Sequence, residues 1–340
     1  MSKMTTLRGF FPPRPLPAWT WALAGTVLLL AGNALGHPEF LRISVVNGHA
    51  FGSPVDILSE ASRPLAVALG MTIVIATGGV DLSVGSVVAI AGACAALALR
   101  AGQPTAVAVA AALGAGLAAG ALNGVLVAGL GIQPIIATLI LMVAGRGIAQ
   151  LLVGGNVIVI TNPAFERFSS ATLAGLPVAP LIVSVLFLGV GLFLRKTAAG
   201  LFIEAVGDNE TAGRFVGLRA GRVKGAAYLF CGLCAGFAGV LAASNIRAAD
   251  AYRAGEGMEL DAIFAVVIGG TALTGGRISL VGSFFGALLL QTLATTLYQV
   301  GVPPSVAPVP KAVLILAVCL VQSAEFRRSL RSAFARRAGT

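Results

Sequence analysis

Charge is scarce in this 340-residue sequence: only 11% of the residues are charged, whereas 57% are hydrophobic and the mean hydropathy is +0.94. A soluble domain carries about 25% charged residues, so a chain with this few cannot cover a surface that faces water. The apolar runs are continuous rather than alternating, which disfavours a membrane β-barrel. We therefore expect an all-α, polytopic membrane protein, in which many of the 44 glycines let helices pack closely.

Groups that carry out chemistry are scarce as well. The two histidines, His37 and His49, lie in one predicted loop, and neither is beside a plausible nucleophile. No G-x-x-x-x-G-K-[ST] phosphate loop occurs, so the chain has no evident means of hydrolysing ATP. We expect no catalytic residue, no metal site and no cofactor on this chain. Any process that needs energy must draw it from a partner protein or an ion gradient.

Long apolar runs predict ten membrane spans, because about 20 apolar residues cross a bilayer as a helix. The predicted bounds are 18–35, 62–78, 83–99, 104–129, 133–153, 178–195, 225–243, 259–274, 279–300 and 307–323. The stretches 62–99 and 259–300 contain glycines between two apolar runs, so they are alternatively broken or re-entrant helices. Residues 18–323 form the predicted membrane domain. It lies between an N-terminal tail, residues 1–17, and a basic C-terminal tail, residues 324–340.

The basic residues predict the orientation of these spans. With the N-terminus inside, fifteen Lys and Arg residues lie on the cytoplasmic side and seven lie outside, and with Arg146 inside a span these make up all 23. Positive charge favours the cytoplasmic side, so both termini are predicted to be cytoplasmic. The same scatter over short loops disfavours nucleic acid as a partner, despite the net charge of +10. Membrane lipid is the expected surrounding.

A glycine pair interrupts the second apolar stretch. Gly78 and Gly79 release the helix, and Asp81 or Ser83 can cap the next helix by accepting its free N–H groups. One interpretation is a tight cytoplasmic turn. The other is a broken helix beside a translocation path, where irregular backbone is tolerated because it faces protein or water.

A similar pattern occurs again near the C-terminus. Residues 77–86 and 274–283 match at six of ten positions, so Gly275 and Gly276 mark a corresponding break. Transporters often contain structural repeats with helix breaks at matching places. A true repeat and a coincidence in a glycine-rich chain both explain this match.

The longest polar stretch runs from residue 195 to residue 224 and is predicted to be cytoplasmic. It contains a helix-forming piece from Asp208 to Leu218, with Asp208 or Asn209 as its N-cap and Gly217 near its end. The stretch is either a simple connector or a docking surface for a soluble partner. Docking is favoured, because the chain needs energy from outside.

Three ionisable residues lie in or near predicted spans, where charge is costly. Glu259 and Asp261 stand at the external end of a span, either as ordinary interfacial charges or as contacts for an external delivery protein. Arg146 is expected to pair within the bundle or to extend toward the membrane surface.

Three of these segments resemble the permeases of ribose-type sugar ABC importers. They are GMTIVIATGGVDLSVGSVVAIAGA at 70–93, AVGDNETAGRFVGLRAGRVK at 205–224 and LDAIFAVVIGGTALTGG at 260–276. The resemblance covers roughly residues 50 to 323. Details at 51–58, 132–151 and 245–263 are most similar to permeases of galactofuranose importers.

The resemblance implies a permease subunit that moves a galactofuranose-like or ribose-like monosaccharide across the bacterial inner membrane by alternating access. It implies a cytoplasmic ABC ATPase that binds ATP and Mg, a periplasmic sugar-binding protein, and a second permease subunit, the same or a related chain. A branched-chain amino acid ABC permease is the nearest alternative. An ion-driven secondary transporter is another, although only Arg146 is a clear ionisable candidate within a span.

The resemblance also assigns roles to residues. It places insertion into the ATPase on the segment from Glu204 to Gly217, with a coupling helix over 208–217. The residues matched for coupling are Glu204, Gly207, Asp208, Asn209, Gly213 and Gly217. Those matched for the helix breaks beside the pathway are Gly78, Gly79, Asp81, Ser83, Gly275 and Gly276.

Overall fold

A computed structural model of the chain describes residues 17, 19–46, 48–303 and 305–322. Most of these residues are helical, so the all-α prediction is confirmed. The predicted tails at 1–17 and 324–340 lie outside the described residues, apart from Pro17.

Thirteen α-helices form the described part of the chain. They are α1 (Trp19–Gly36), α2 (Ser53–Ala76), α3 (Val84–Arg100), α4 (Thr105–Gly124), α5 (Pro134–Leu152), α6 (Pro163–Ser170), α7 (Val178–Lys196), α8 (Ala198–Asp208), α9 (Glu210–Phe215), α10 (Ala220–Ile246), α11 (Met258–Ile268), α12 (Leu280–Gln299) and α13 (Pro308–Gln322). A 3-10 turn at Pro38–Leu41 follows α1, and a π-helical turn at Val125–Gly129 extends α4.

Seven of the described helices are long and apolar enough to cross a membrane: α1, α2, α4 with its π-helical turn, α5, α7, α10 and α12. Each of the ten predicted spans overlaps one helix, but three of those helices are shorter. The helix α11 ends at Ile268, since Gly269 and Gly270 follow, and α3 and α13 have shorter apolar stretches. The multi-pass architecture is therefore confirmed.

Short strands occupy some of the loops. The described residues contain three antiparallel pairs: β1 (Ser44–Val46) with β2 (His49–Phe51), β3 (Ile158–Val159) with β6 (Ala248–Ala249), and β4 (Thr172–Leu173) with β5 (Leu176–Pro177). These strands were not predictable from the sequence, because two or three residues are too few to show an alternating pattern.

The helix α10 lies at the centre of the bundle, against α2, α3 and α4. Glycines bring α10 and α4 together: a Cβ added at Gly116 would lie 2.9 Å from the Cα of Gly236, and one at Gly120 would lie 3.0 Å from the Cα of Leu229. Small residues allow such close backbone approach between helices in lipid. The glycine-rich composition thus serves the packing of the central helices.

Candidate functional site at the helix breaks

The first helix break lies where the glycine pair predicts it. The helix α2 ends at Ala76, and its last turn closes with N–H groups of Gly78 and Gly79 donating to the carbonyls of Ile75 (2.9 Å) and Val74 (3.1 Å). Gly78 has a φ of +79°, which glycine adopts without steric cost. The pair of bonds is a Schellman ending, and it turns the chain toward α3.

A buried polar network holds the turn between α2 and α3. The carboxylate oxygen Oδ1 of Asp81 accepts hydrogen bonds from the Ser83 N–H (2.9 Å), the Ser83 hydroxyl (2.6 Å) and the Asn123 amide nitrogen (3.2 Å). All three side chains are buried. Ser83 occupies the N-cap position of α3, but its hydroxyl donates to Asp81 instead of capping the helix. The network ties the first break to α4, and the buried side-chain oxygen of Asn123 has no hydrogen-bond partner among the described residues.

The second helix break meets the first. Residues 269–279 separate α11 from α12, and Gly275 and Gly276 have φ values of +89° and +79°. The Gly276 N–H donates to the carbonyl of Ala76, the last residue of α2, at 3.0 Å. A Cβ added at Gly275 would lie 2.8 Å from the backbone nitrogen of Gly78. The two segments that match in sequence are therefore in direct backbone contact.

The C-terminal end of α8 completes a junction with both breaks. The Glu204 carboxylate accepts a hydrogen bond from the N–H of Ile278 at 3.1 Å. Gly207 lies so close to the carbonyl of Ala76 that any side chain would collide with it, and a Cβ there would also lie 2.5 Å from the Gly276 nitrogen. We call this contact between the end of α8 and the two breaks the glycine junction. The glycine junction includes residues that were predicted for coupling, Glu204 and Gly207, and residues that were predicted for the helix breaks, Gly275 and Gly276.

The segment from Glu204 to Gly217 differs from the predicted single coupling helix over 208–217. Asp208 is the last residue of α8, and a new helix, α9, begins at Glu210. Asn209 is the N-cap of α9, and its side-chain oxygen accepts from the Ala212 N–H at 2.9 Å. The extended backbone of Asn209 breaks the two helices apart. Glu204 and Gly207 are partly exposed and contact the protein's own backbone.

The first turn of α9 is held by ion pairs, and the residues at its C-terminal end are apolar and exposed. Glu210 forms ion pairs with Arg214 (2.6 Å) and with Lys224 of α10. The hydrogen bond from Lys224, above all, lowers the pKa of the Glu210 carboxyl. Phe215 and Val216 at the other end are 87% and 77% exposed. Gly213 is buried, and Gly217 ends the turn with a φ of +86°.

Arg146, Asp261 and Glu259, the ionisable residues in or near predicted spans, each contact another segment of the protein. Arg146 donates to the carbonyls of Ala251 (3.2 Å) and Ala254 (2.6 Å), in the segment before α11. Asp261 pairs with Lys311 of α13 at 2.8 Å. Glu259 lies beside Gly85, near the start of α3. Arg146 is thus satisfied by backbone carbonyls of the loop before α11, and no ion pair to it occurs among the described residues.

Two contributors to the site were missed in the sequence. Asn123 lies within an apolar span and joins the Asp81 network, and Tyr228 of α10 donates to the carbonyl of Val80 at 3.3 Å. A polar amide in the middle of a span was the available signal for Asn123, since buried polar groups need partners. Tyr228 carried no such signal, because its ring fits any helix core.

Comparisons with known proteins place the chain in a family. It matches the family model described as branched-chain amino acid transport system, permease component, over residues 53–320. It is 46% identical to the galactofuranose transporter permease protein YtfT of Escherichia coli (strain K12), with 95% of this chain and 93% of that protein covered. No solved structure matches the chain.

Two further relatives are also named as sugar permeases. The chain is 40% identical to the ribose import permease protein RbsC of Escherichia coli (strain K12), over 89% of this chain and 92% of that protein. It is 38% identical to the fructose import permease protein FruF of Bifidobacterium longum (strain NCC 2705), over 89% and 87%. These relatives confirm the resemblance to ribose-type sugar permeases. The chain therefore belongs to the family of branched-chain amino acid transport system permease components, as a multi-pass membrane transport subunit rather than an enzyme.

Proposed function

We propose that this chain is the membrane-spanning permease subunit of an ABC importer and moves a monosaccharide across the bacterial inner membrane. The relatives named for galactofuranose, ribose and fructose import support a sugar, at 46%, 40% and 38% identity over most of the chain. The highest of these identities favours a galactofuranose-like sugar over a ribose-like one.

The glycine junction is the observation that carries the mechanism. At the end of α8, the Gly207 backbone approaches both helix breaks, and the Glu204 carboxylate accepts a hydrogen bond from the Ile278 N–H. The breaks are joined to each other by the Gly276–Ala76 hydrogen bond. A displacement of α8 and α9 cannot be absorbed by side-chain rotation at Gly207, because Gly207 has no side chain and meets the breaks with its backbone. Such a displacement moves the ends of α2, α11 and α12 together, which is what alternating access requires.

The partner that displaces α8 and α9 is proposed to be a cytoplasmic ABC ATPase. The polar stretch 195–224 is then the coupling loop, and its contact surface is α9, where Phe215 and Val216 are exposed. The ATPase binds ATP and Mg, since this chain has no phosphate loop. Asn209, Gly213 and Gly217 shape α9 for docking, whereas Glu204, Gly207 and Asp208 pass its movement to the breaks.

The proposed topology has ten membrane-crossing segments and cytoplasmic termini. Contacts between helix ends support this topology. The Asn33 amide donates to the Thr296 hydroxyl at 2.7 Å, and the Gln299 amide donates to the Ser53 hydroxyl at 2.9 Å. The end of α1, the start of α2 and the end of α12 therefore lie on one face of the bundle. The glycine junction lies at the opposite ends of α2 and α12. The first face is external in this proposal and receives the periplasmic sugar-binding protein.

Gly78, Gly79, Asp81 and Ser83 are proposed to shape the break beside the translocation path. The path itself forms between this chain and a second permease subunit, the same or a related chain. Closure of the ATPase dimer displaces α9, the glycine junction shifts both breaks, and the permease pair opens toward the binding protein. No covalent chemistry takes place on this chain.

Uptake by a strain that lacks this gene tests the substrate class. We expect loss of uptake of labelled galactofuranose, with ribose and fructose as further candidates, and recovery when the gene is restored. Uptake should require ATP and persist when the ion gradients are collapsed. Loss of leucine uptake instead would favour a branched-chain amino acid permease, which the family description names. Dependence on a proton or sodium gradient would favour a secondary transporter.

A further inference from the structure

A groove on the outer surface of the bundle is not used by the proposed function. It lies between α7, α8 and α10 and encloses about 440 Å³. Its walls include Phe193 of α7 and Phe202 of α8, which are 56% and 39% exposed. Apart from Arg222, every residue that lines it is apolar. The walls from α7 and α10 belong to candidate membrane spans, whereas α8 belongs to the stretch proposed to be cytoplasmic. The groove therefore lies at the proposed cytoplasmic edge of the bilayer, where acyl chains and headgroups meet.

One end of this groove is basic. Arg222, in the first turn of α10, is exposed, and no ion pair to it occurs among the described residues. Arg195 and Lys196 follow Leu194, a lining residue, in the last turn of α7. A larger groove of about 870 Å³ beside α12 is less suited to an anion, because it contains Glu204 together with Arg195.

We propose that the groove between α7, α8 and α10 binds an anionic phospholipid, with one acyl chain along the apolar wall and the phosphate at Arg222. Basic residues at the edge of a membrane helix attract anionic headgroups, by a factor of about fivefold for each residue. Arg222 is the charged residue among those that line the groove, so the proposed phosphate contact rests on Arg222. A zwitterionic lipid gains less, because its headgroup also brings a positive charge to Arg222.

The chain's own terminal segments are poor alternative occupants. Residues 1–16 carry Lys3, Arg8 and Arg14 and no acidic residue, and residues 323–340 carry five arginines and one glutamate. Like charges would oppose the placement of either segment beside Arg222. The inference needs only that the chain is embedded in a membrane. It does not depend on the identity of the sugar.

Native mass spectrometry of the purified full-length chain tests the proposal. The protein is mixed with phosphatidylglycerol or with phosphatidylcholine of identical acyl chains, and the lipid that stays bound is counted. We expect phosphatidylglycerol to bind more tightly, and Arg222→Gln to weaken it about fivefold. The control Arg100→Gln removes an exposed arginine from the last turn of α3, away from the groove, and should leave binding unchanged.

A second variant tests the acyl-chain contact without altering charge. Ala226 lines the groove and is exposed, so Ala226→Trp fills the space without disturbing the core. It should weaken phosphatidylglycerol binding, while glycerol phosphate should not compete. Equal binding of the two lipids, or equal effects of Arg222→Gln and Arg100→Gln, would overturn the proposal.

A photocrosslinker introduced at Ala226 identifies the occupant directly in native membranes. We expect a crosslinked phospholipid. A crosslink to a terminal segment of the same chain, or to a second copy, would show a different occupant and overturn the proposal. None of these measurements uses transport, so a failure here is separable from a failure of the proposed sugar uptake.

Discussion

Gly217 follows the end of α9 and has a backbone conformation that restricts substitution. Its φ of +86° lies in the left-handed region, which costs other residues about 1–2 kcal/mol and β-branched ones more. Because no other atom lies near the position of its missing Cβ, the strain acts on the turn alone. We expect Gly217→Val to leave the protein in the membrane and to uncouple sugar uptake from ATP hydrolysis, measured in the reconstituted importer.

The matched control for this variant is Gly131→Val. Gly131 lies between α4 and α5, has a φ of +71° and also has open space at its Cβ position. It carries the same backbone strain but is not part of α9, so uptake should remain coupled. Gly213 is buried, and a Cβ added there would lie 3.5 Å from the Leu218 side chain, so a bulky residue at Gly213 should uncouple uptake as well. Unchanged uptake in the Gly217→Val and Gly213 variants would contradict the coupling role of α9.

Glu210 gives the anchoring of α9 a pH dependence. Its ion pairs with Lys224 and Arg214 lower its pKa in the folded state below the ordinary value of about 4.3. The stabilisation is therefore fully present above the ordinary pKa and is lost as the pH falls toward the lowered value. We expect hydrogen-exchange protection of α9, corrected for intrinsic rates, to fall over that range while protection of α4 persists.

The variant Glu210→Gln provides the comparison for this pH effect. It removes the charge, so protection of α9 should already be reduced at neutral pH and should change less as the pH falls. If native α9 and the variant respond to acid alike, the ion pairs of Glu210 do not anchor the helix.

At the scale of elements, the contact between α4 and α10 depends on glycine at particular positions. A Cβ added at Gly120 would strike the carbonyl of Tyr228, whereas one at Gly114 on the same helix would meet nothing within 4 Å. Overpacking of this kind costs roughly 1–3 kcal/mol. We expect Gly120→Val to lower the melting temperature of the purified protein and Gly114→Val to leave it nearly unchanged. Equal melting temperatures would show that α4 and α10 separate at no cost.

Elements that are long and apolar were predictable from the sequence, and short amphipathic ones were not. Each of the ten predicted spans overlaps a helix, because lipid demands a continuous apolar run. The helix α8 was missed because its apolar residues lie within a basic stretch and look like part of a loop. The extended backbone of Asn209 separates α8 from α9. In the sequence, Asn209 indicates the start of α9 as an N-cap, but it gives no sign that another helix ends just before it.

At the scale of the whole molecule, the meeting of the two helix breaks with the end of α8 was not predictable. The sequence placed glycines at 78, 207, 275 and 276, each explicable as a local turn. Their common purpose appears only in the fold, where Gly207 approaches Ala76 and Gly275 approaches Gly78 through backbone contacts. The resemblance had assigned Glu204 and Gly207 to docking, but their contacts are internal. These glycines are far apart in the sequence, and hydrophobic periodicity describes residues within a single element. Their contact in the fold therefore could not be predicted.

The hydrogen bond from Ile278 to Glu204 tests whether the glycine junction transmits movement. The acceptor is a carboxylate oxygen and the donor is a neutral backbone N–H, so an amide oxygen can replace it without the charge. We expect Glu204→Gln to retain coupled transport. Glu204→Leu should leave the Ile278 N–H without a partner, at a cost of about 1–3 kcal/mol, and should lower the sugar transported per ATP hydrolysed.

The pair of variants separates transmission from docking. If Glu204 contacted the ATPase through its charge, Glu204→Gln would weaken binding of the ATPase, whereas an internal hydrogen bond predicts unchanged binding for both variants. Measured affinity for the ATPase and measured transport per ATP should therefore diverge only in Glu204→Leu. A loss of ATPase affinity in both variants would place Glu204 in the docking surface. The backbone contacts of Gly207 would then be the route by which movement of α8 reaches the second break.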